Sequence, residues 1–205
     1  MKVFVFSKEN GLFMVFLFLE VLLMNFSPTK KMVLAAMFLA LGLLLPLLVG
    51  HIIPMGYIFL PMHIPVLLCG FICGGPWGLA VGAVTPLLSG VITGMPPIYP
   101  TAVAMAFELA AYGLLAGVFY KLFPKKIGFI YLSLVLAMLG GRVVWSIVSF
   151  ALYGIAGTAF TWDMLLGGAF VTVFPGIIVQ LVLIPAIMIA LQLGQNKRRS
   201  QTEAA

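Results

Sequence analysis

The sequence predicts an all-α integral membrane protein with six transmembrane helices and both termini cytoplasmic. Three observations carry that prediction. Hydrophobic residues make up 63% of the 205-residue chain and charged residues only 8%, whereas a soluble domain carries about a quarter charged residues. Six apolar runs, bounded by Gly, Pro and Lys/Arg, approach the roughly 20 residues that cross a bilayer. Basic residues gather in clusters that an even number of crossings places on one side. The 22 glycines and 13 prolines agree with this class, because neighbouring membrane helices re-satisfy the backbone groups that such residues free. The net charge of +6 lies at the ends of apolar runs and forms no phosphate-binding face, so no nucleic-acid partner is predicted.

Residues 11–23, "GLFMVFLFLEVLL", are too short to span and are interrupted by Glu20. An interfacial helix or a degraded signal segment would fit the run, although no small-residue cleavage site follows. The reading favoured here is that the natural chain starts at Met24 and that residues 1–23 are an over-extended N-terminus, because Leu19-Glu20-Val21 can be encoded with a ribosome-binding core. Residues 24–196 then form one six-helix membrane domain and residues 197–205 a basic cytoplasmic tail.

The spans run Met32–Ile53, Leu60–Gly74, Trp77–Thr93, Thr101–Leu122, Ile127–Tyr153 and Met164–Leu193. The second and third are short and meet at "CGGPWG", a reversal punctuated by Gly and Pro. Cys69 and Cys73, four apart in the second run, read as small core residues on one helix face, since a metal pair would want further ligands nearby. Lys30 and Lys31 precede the first span, Lys121, Lys125 and Lys126 join the fourth and fifth, and Lys197, Arg198 and Arg199 follow the sixth. Six crossings put all three clusters on the cytoplasmic side; a seventh would misplace one.

Glu108 stands seven residues into the fourth span, roughly 10 Å below the outer boundary at about 1.5 Å per residue. Arg142 lies fifteen residues past Ile127 in a span that runs outward, which brings it to a similar depth in a core about 30 Å thick. Opposite charges at equal depth lower each other's cost, and intramembrane ionisable groups mark functional sites by default. Tyr112 shares the face of Glu108. Arg142, Trp145, Ser146 and Ser149 follow the i, i+3, i+4, i+7 pattern of one helical stripe. His51 closes the first span, His63 opens the second, and Thr161, Trp162, Asp163 and Thr172 belong to the entry of the sixth. Gln180 is placed nearer the inner side, outside this cluster. Glu108, Tyr112, Arg142, Trp145, Ser146, His51, His63 and Thr172 are the candidate ligand-binding residues, with a small polar or zwitterionic ligand expected. A Glu–Arg pair that only fixes helix packing is the structural alternative.

The first span contains "KKMVLAAMFLALG", where Ala36 and Ala40 make a small-xxx-small surface for close helix approach. With six spans, cytoplasmic termini and an outward polar cluster, the chain resembles the substrate-binding S component of energy-coupling factor (ECF) vitamin transporters. The stretch "FLPMHIPVLLCGFICGGPWGLAVGAVTPLLSGVITGMPPIYPTAVAMAFELAAYGLLAG" is similar to a branch of that family. The resemblance implies a multi-pass protein of the bacterial cytoplasmic membrane that captures a vitamin-like organic molecule outside. It also implies that Ala36 and Ala40 dock on the transmembrane coupling (T) component, which carries a pair of cytoplasmic ATPases, and that the loaded subunit topples to release its ligand. The chain itself has no GxxxxGK[ST] nucleotide motif. No cofactor and no bound metal are expected.

Three rival readings remain open at this stage. An intramembrane enzyme would want GxS with a membrane histidine, or HExxH, and the sequence offers neither. A self-contained secondary transporter would show internal repeats with broken helices, and residues 32–120 and 127–193 share no clear repeat. An S component for a transition-metal ion could use His51, His63, Met55, Met62 and Asp163, but Arg142 would repel a cation and suits an organic anion or heterocycle.

Overall fold

A computed structural model describes residues 27–52, 59–124, 126–155 and 174–203, and no strand occurs among them. Among the described residues the fold has six α-helices: α1 (Pro28–Ile52), α2 (His63–Cys73), α3 (Gly75–Thr93), α4 (Val103–Leu122), α5 (Ile127–Ile155) and α6 (Phe174–Glu203), with a π-helical turn at Ile98–Ala102 leading into α4. Five of these segments are long and apolar enough to cross a membrane, and α2 is a shorter apolar helix. Pro46, Pro86 and Pro185 lie inside α1, α3 and α6.

The helices run up and down, and residue contacts fix that order. Gly75 packs on Leu114, Gly78 on Gly113 and Gly82 on Leu109, so α3 and α4 are antiparallel. Gly140 meets Leu115 and Gly141 meets Tyr112, which sets α5 antiparallel to α4. Gly42 lies against Thr85 and Lys31 at the start of α1 acts electrostatically on Cys73, two residues before α3 begins, so α1 and α3 run the same way. Lys30 and Lys31 at the start of α1, Lys121 at the end of α4 and Lys126 before α5 therefore share one end of the bundle, called here the basic end.

Small residues hold the centre together. Gly70 of α2, Gly75, Gly78 and Gly82 of α3, and Gly113 and Gly117 of α4 touch backbone to backbone, so that a Cβ at Gly78 would run into both Gly113 and Gly70. Lipid offers no hydrophobic drive between helices, and such close approach supplies the dispersion contacts that replace it. Gly74, with φ of 100°, is the single residue between α2 and α3. Its left-handed backbone permits the reversal, and Gly70 and Gly78 close against each other four residues to either side.

The second run differs from expectation in length. Leu60–Gly74 was expected to span, but its helix has 11 residues, or about 16 Å, against a hydrocarbon core of about 30 Å. Leu60 to Met62 form a turn instead, with Leu60 at φ of 51° and its carbonyl accepting the His63 amide at 3.0 Å. Nearly every residue of α2 is buried, because it is packed among α1, α3, α4 and α6. At the other end of the chain α6 continues helical to Glu203, so most of the expected basic tail extends that helix. Cys69 and Cys73 are free, buried thiols of the core, as read from sequence.

Opposite the basic end, Gly94 (φ 73°) caps α3 and donates to Gly90 O at 3.1 Å. Ser89 Oγ donates to Met95 O at 2.8 Å, and Tyr99 Oη donates to Leu152 O at 3.0 Å. These bonds tie the α3–α4 connection to the end of α5.

Gly78→Leu should lower the unfolding temperature in detergent by the equivalent of about 1–3 kcal/mol, since the added side chain meets backbone that cannot move aside. Gly128→Ala, at an exposed position with open space around it, should leave that temperature unchanged or slightly raised.

Candidate ligand-binding site

Three helices each deliver an ionisable side chain to one interior point. On α4, Glu108 and Tyr112 sit one turn apart while Leu109, Gly113 and Gly117 occupy the face turned to α3. On α5, the buried stripe Ile130, Leu134, Ala137, Met138, Gly141 carries the interior face up to Arg142. Gly141 has no side chain, and the Tyr112 ring lies directly on its backbone. On α2, the strained turn at Leu60 begins the helix at His63, level with Glu108.

Arg142 Nη1 lies 2.9 Å from Glu108 Oε1, and His63 Nε2 lies 3.7 Å from the same oxygen. The His63 and Tyr112 rings pack with centroids 5.4 Å apart at 60°, and Tyr112 stands one helical turn from Glu108, within its electrostatic reach. Exposure is 2% for Glu108, 1% for His63, 1% for Tyr112 and 7% for Arg142. A charge this deep persists only beside its opposite.

The cluster holds more hydrogen-bonding capacity than it consumes. Arg142 Nε and Nη2, both ring nitrogens of His63, and Ser149 Oγ are buried without a hydrogen-bond partner among the described residues. The Glu108–Arg142 contact is close but lacks hydrogen-bond alignment. Each unsatisfied buried polar group costs about 1–3 kcal/mol, so several in one place mark a group of donors arranged for something other than packing.

Four of the eight expected residues, Glu108, Tyr112, Arg142 and His63, are brought together. Trp145 and Ser146 lie one turn further along α5 and are half-buried. The Ser146 hydroxyl donates to Arg142 O at 2.8 Å, a bond within its own helix that occupies its proton. His51 lies in the last turn of α1, and Thr172 lies outside the described residues, as do Thr161, Trp162 and Asp163. Ala36 and Ala40 are on the exposed face of α1.

Gln180 is placed differently from expectation. Counting from Met164 set it near the inner side. Gln192 Nε2, however, donates to Tyr120 Oη at 3.1 Å, and these two residues register α6 against α4. Gln180 stands twelve residues before Gln192, as Glu108 stands twelve before Tyr120. With α6 running the same way as α4, Gln180 therefore stands within about one helical turn of the height of Glu108.

Comparison with known proteins bears directly on this geometry. A family model for the ECF transporter, substrate-specific component, matches residues 30–188, which includes all but the first two residues of α1, the whole of α2 to α5 and half of α6. The chain belongs to that family. No curated protein and no solved structure matches it. This S component is thus a multi-pass membrane protein and the substrate-specific subunit of a transporter, in a family of transport components and not of enzymes. Membership implies association, in general terms, with a T component and ATPases.

Glu108→Leu and Arg142→Met should each destabilise the S component by about 3–5 kcal/mol, because each leaves an uncompensated buried charge. The double variant should lose clearly less than the sum of the two. Unfolding temperatures of the four proteins in one detergent provide the check.

Proposed function

We propose that this S component captures a small, vitamin-like organic molecule bearing an acidic group, at a site formed by Arg142, Glu108, Tyr112 and His63. The observation that carries the reading is a buried guanidinium with Nε and Nη2 unused beside a carboxylate, a phenol and an imidazole. A planar guanidinium presents paired donors that match a carboxylate or phosphate edge. Trp145 and Ser149 extend the polar surface along α5 away from the basic end, and we assign His51 and Thr172 to the same ligand.

The ligand enters from the outer face of a bacterial cytoplasmic membrane and leaves inward. A T component docks on Ala36 and Ala40, whose small side chains stand exposed among Met32, Met37 and Leu44, and its paired ATPases supply the energy. Membership of a family of transport components supports a transport role over a catalytic one. Family membership supports a transporter subunit over a self-contained carrier, and the Arg142 charge at the centre of the cluster disfavours a metal ion.

Native mass spectrometry of the purified protein should show a bound small molecule, and Arg142→Lys should reduce its retention at least tenfold with an unfolding temperature close to that of the wild type. Normal retention by Arg142→Lys removes Arg142 from the site. Ala36→Trp and Ala40→Trp should retain the molecule yet abolish uptake by the assembled transporter. Loss of retention in those two variants contradicts the separate docking face.

A further inference from the structure

We propose that Gln180 of α6 contacts the same ligand and selects for an amide-type edge, so that the substrate is an acid carrying a lactam, ureide or comparable N–H/C=O pair. The proposal rests on the binding site given above and adds a residue and a ligand class to it.

Gln180 is 1% exposed, and neither its Nε2 nor its Oε1 has a hydrogen-bond partner among the described residues. Such an amide is costly in an apolar interior, where a leucine of similar size would pack at no polar cost. Its direction follows from helical phase. Ile177, Leu181, Ile184, Met188 and Leu191 pack into the central core, and Gln180 falls on that stripe, four residues before Ile184. Its height follows from the Gln192–Tyr120 bond, which brings it within about one helical turn of Glu108. Gln180 therefore faces inward near the height of the Arg142–Glu108 pair, from a helix that packs on both α5 and α2, the elements that supply Arg142 and His63.

The chemistry of the two ends differs. Arg142 only donates, and it recognises an anionic oxygen. A carboxamide donates and accepts side by side, and its complement is an adjacent acceptor and donor on one planar group. An acid with a cyclic amide edge satisfies both, and it leaves fewer buried groups unpaired than a simple carboxylate does.

The test compares wild type, Gln180→Leu and Arg142→Lys by thermal shift in detergent with four probes: pyroglutamate, hydantoin-5-acetate and orotate, which carry the amide edge, and cyclopentanecarboxylate, which does not. The wild type should bind at least one amide acid at least about tenfold more tightly than cyclopentanecarboxylate, the discrimination that one well-made buried hydrogen bond supplies. Gln180→Leu should be no less stable without probe and should lose that preference while still responding to cyclopentanecarboxylate. Arg142→Lys should respond weakly to all four. Retention of the preference by Gln180→Leu overturns the role of Gln180 and leaves the site standing. Failure of every amide acid to outperform cyclopentanecarboxylate on the wild type overturns the ligand class. Equal responses of Arg142→Lys and wild type overturn the underlying site itself.

Discussion

Attraction between Glu108 and Arg142 in a medium that solvates neither is the constraint around which the rest of the bundle is arranged. Each charge alone would carry a large desolvation cost, and together they still demand further polar company. Tyr112 and His63 supply part of it from two helices, and α5 must come near enough for the guanidinium to reach α4. That approach is possible because Gly141 lets the Tyr112 ring rest on bare backbone. The ion pair and the glycine contact are therefore one structural requirement seen from two sides.

The glycine-lined junction of α2, α3 and α4 positions the third partner. Backbone contact at Gly70, Gly78 and Gly113 fixes α2 against α4, and the 11-residue length of α2 then sets where its first residue stands. A full-length span would have carried the start of this helix well beyond Glu108. The short one starts beside it, and its opening residue is His63. Local backbone strain at Leu60 is concentrated where the chain is redirected toward the site, as often occurs at functional positions.

Much of this was legible in the sequence. Apolar run length and basic clusters give the class, and depth counting from Ile127 and Thr101 brings Arg142 and Glu108 to one level, where they meet at 2.9 Å. Helical spacing also places Tyr112 beside Glu108. That the second run is short was legible, but the turn at Leu60–Met62 that shortens its helix further was not, because hydropathy cannot distinguish a helix from an apolar turn followed by a shorter helix. The capture of the Ser146 hydroxyl by its own backbone is equally invisible to spacing, which assigns a face and no partner. Gln180 was misplaced because depth was counted from a chosen helix start, whereas true height is set by a neighbour. Its interior phase with Ile184 and Met188 was present in the sequence throughout.

The bond between Gln192 and Tyr120 has a mechanical meaning. Advancing α6 by one residue slides it about 1.5 Å and rotates it about 100°, a screw motion that would swing the Gln180 carboxamide away from the interior and out among acyl chains. A phenol near the basic end thus acts as an index pin for a side chain some 18 Å away along the helix, adding a polar stop to the angular setting that Ile184, Met188 and Leu191 give by packing.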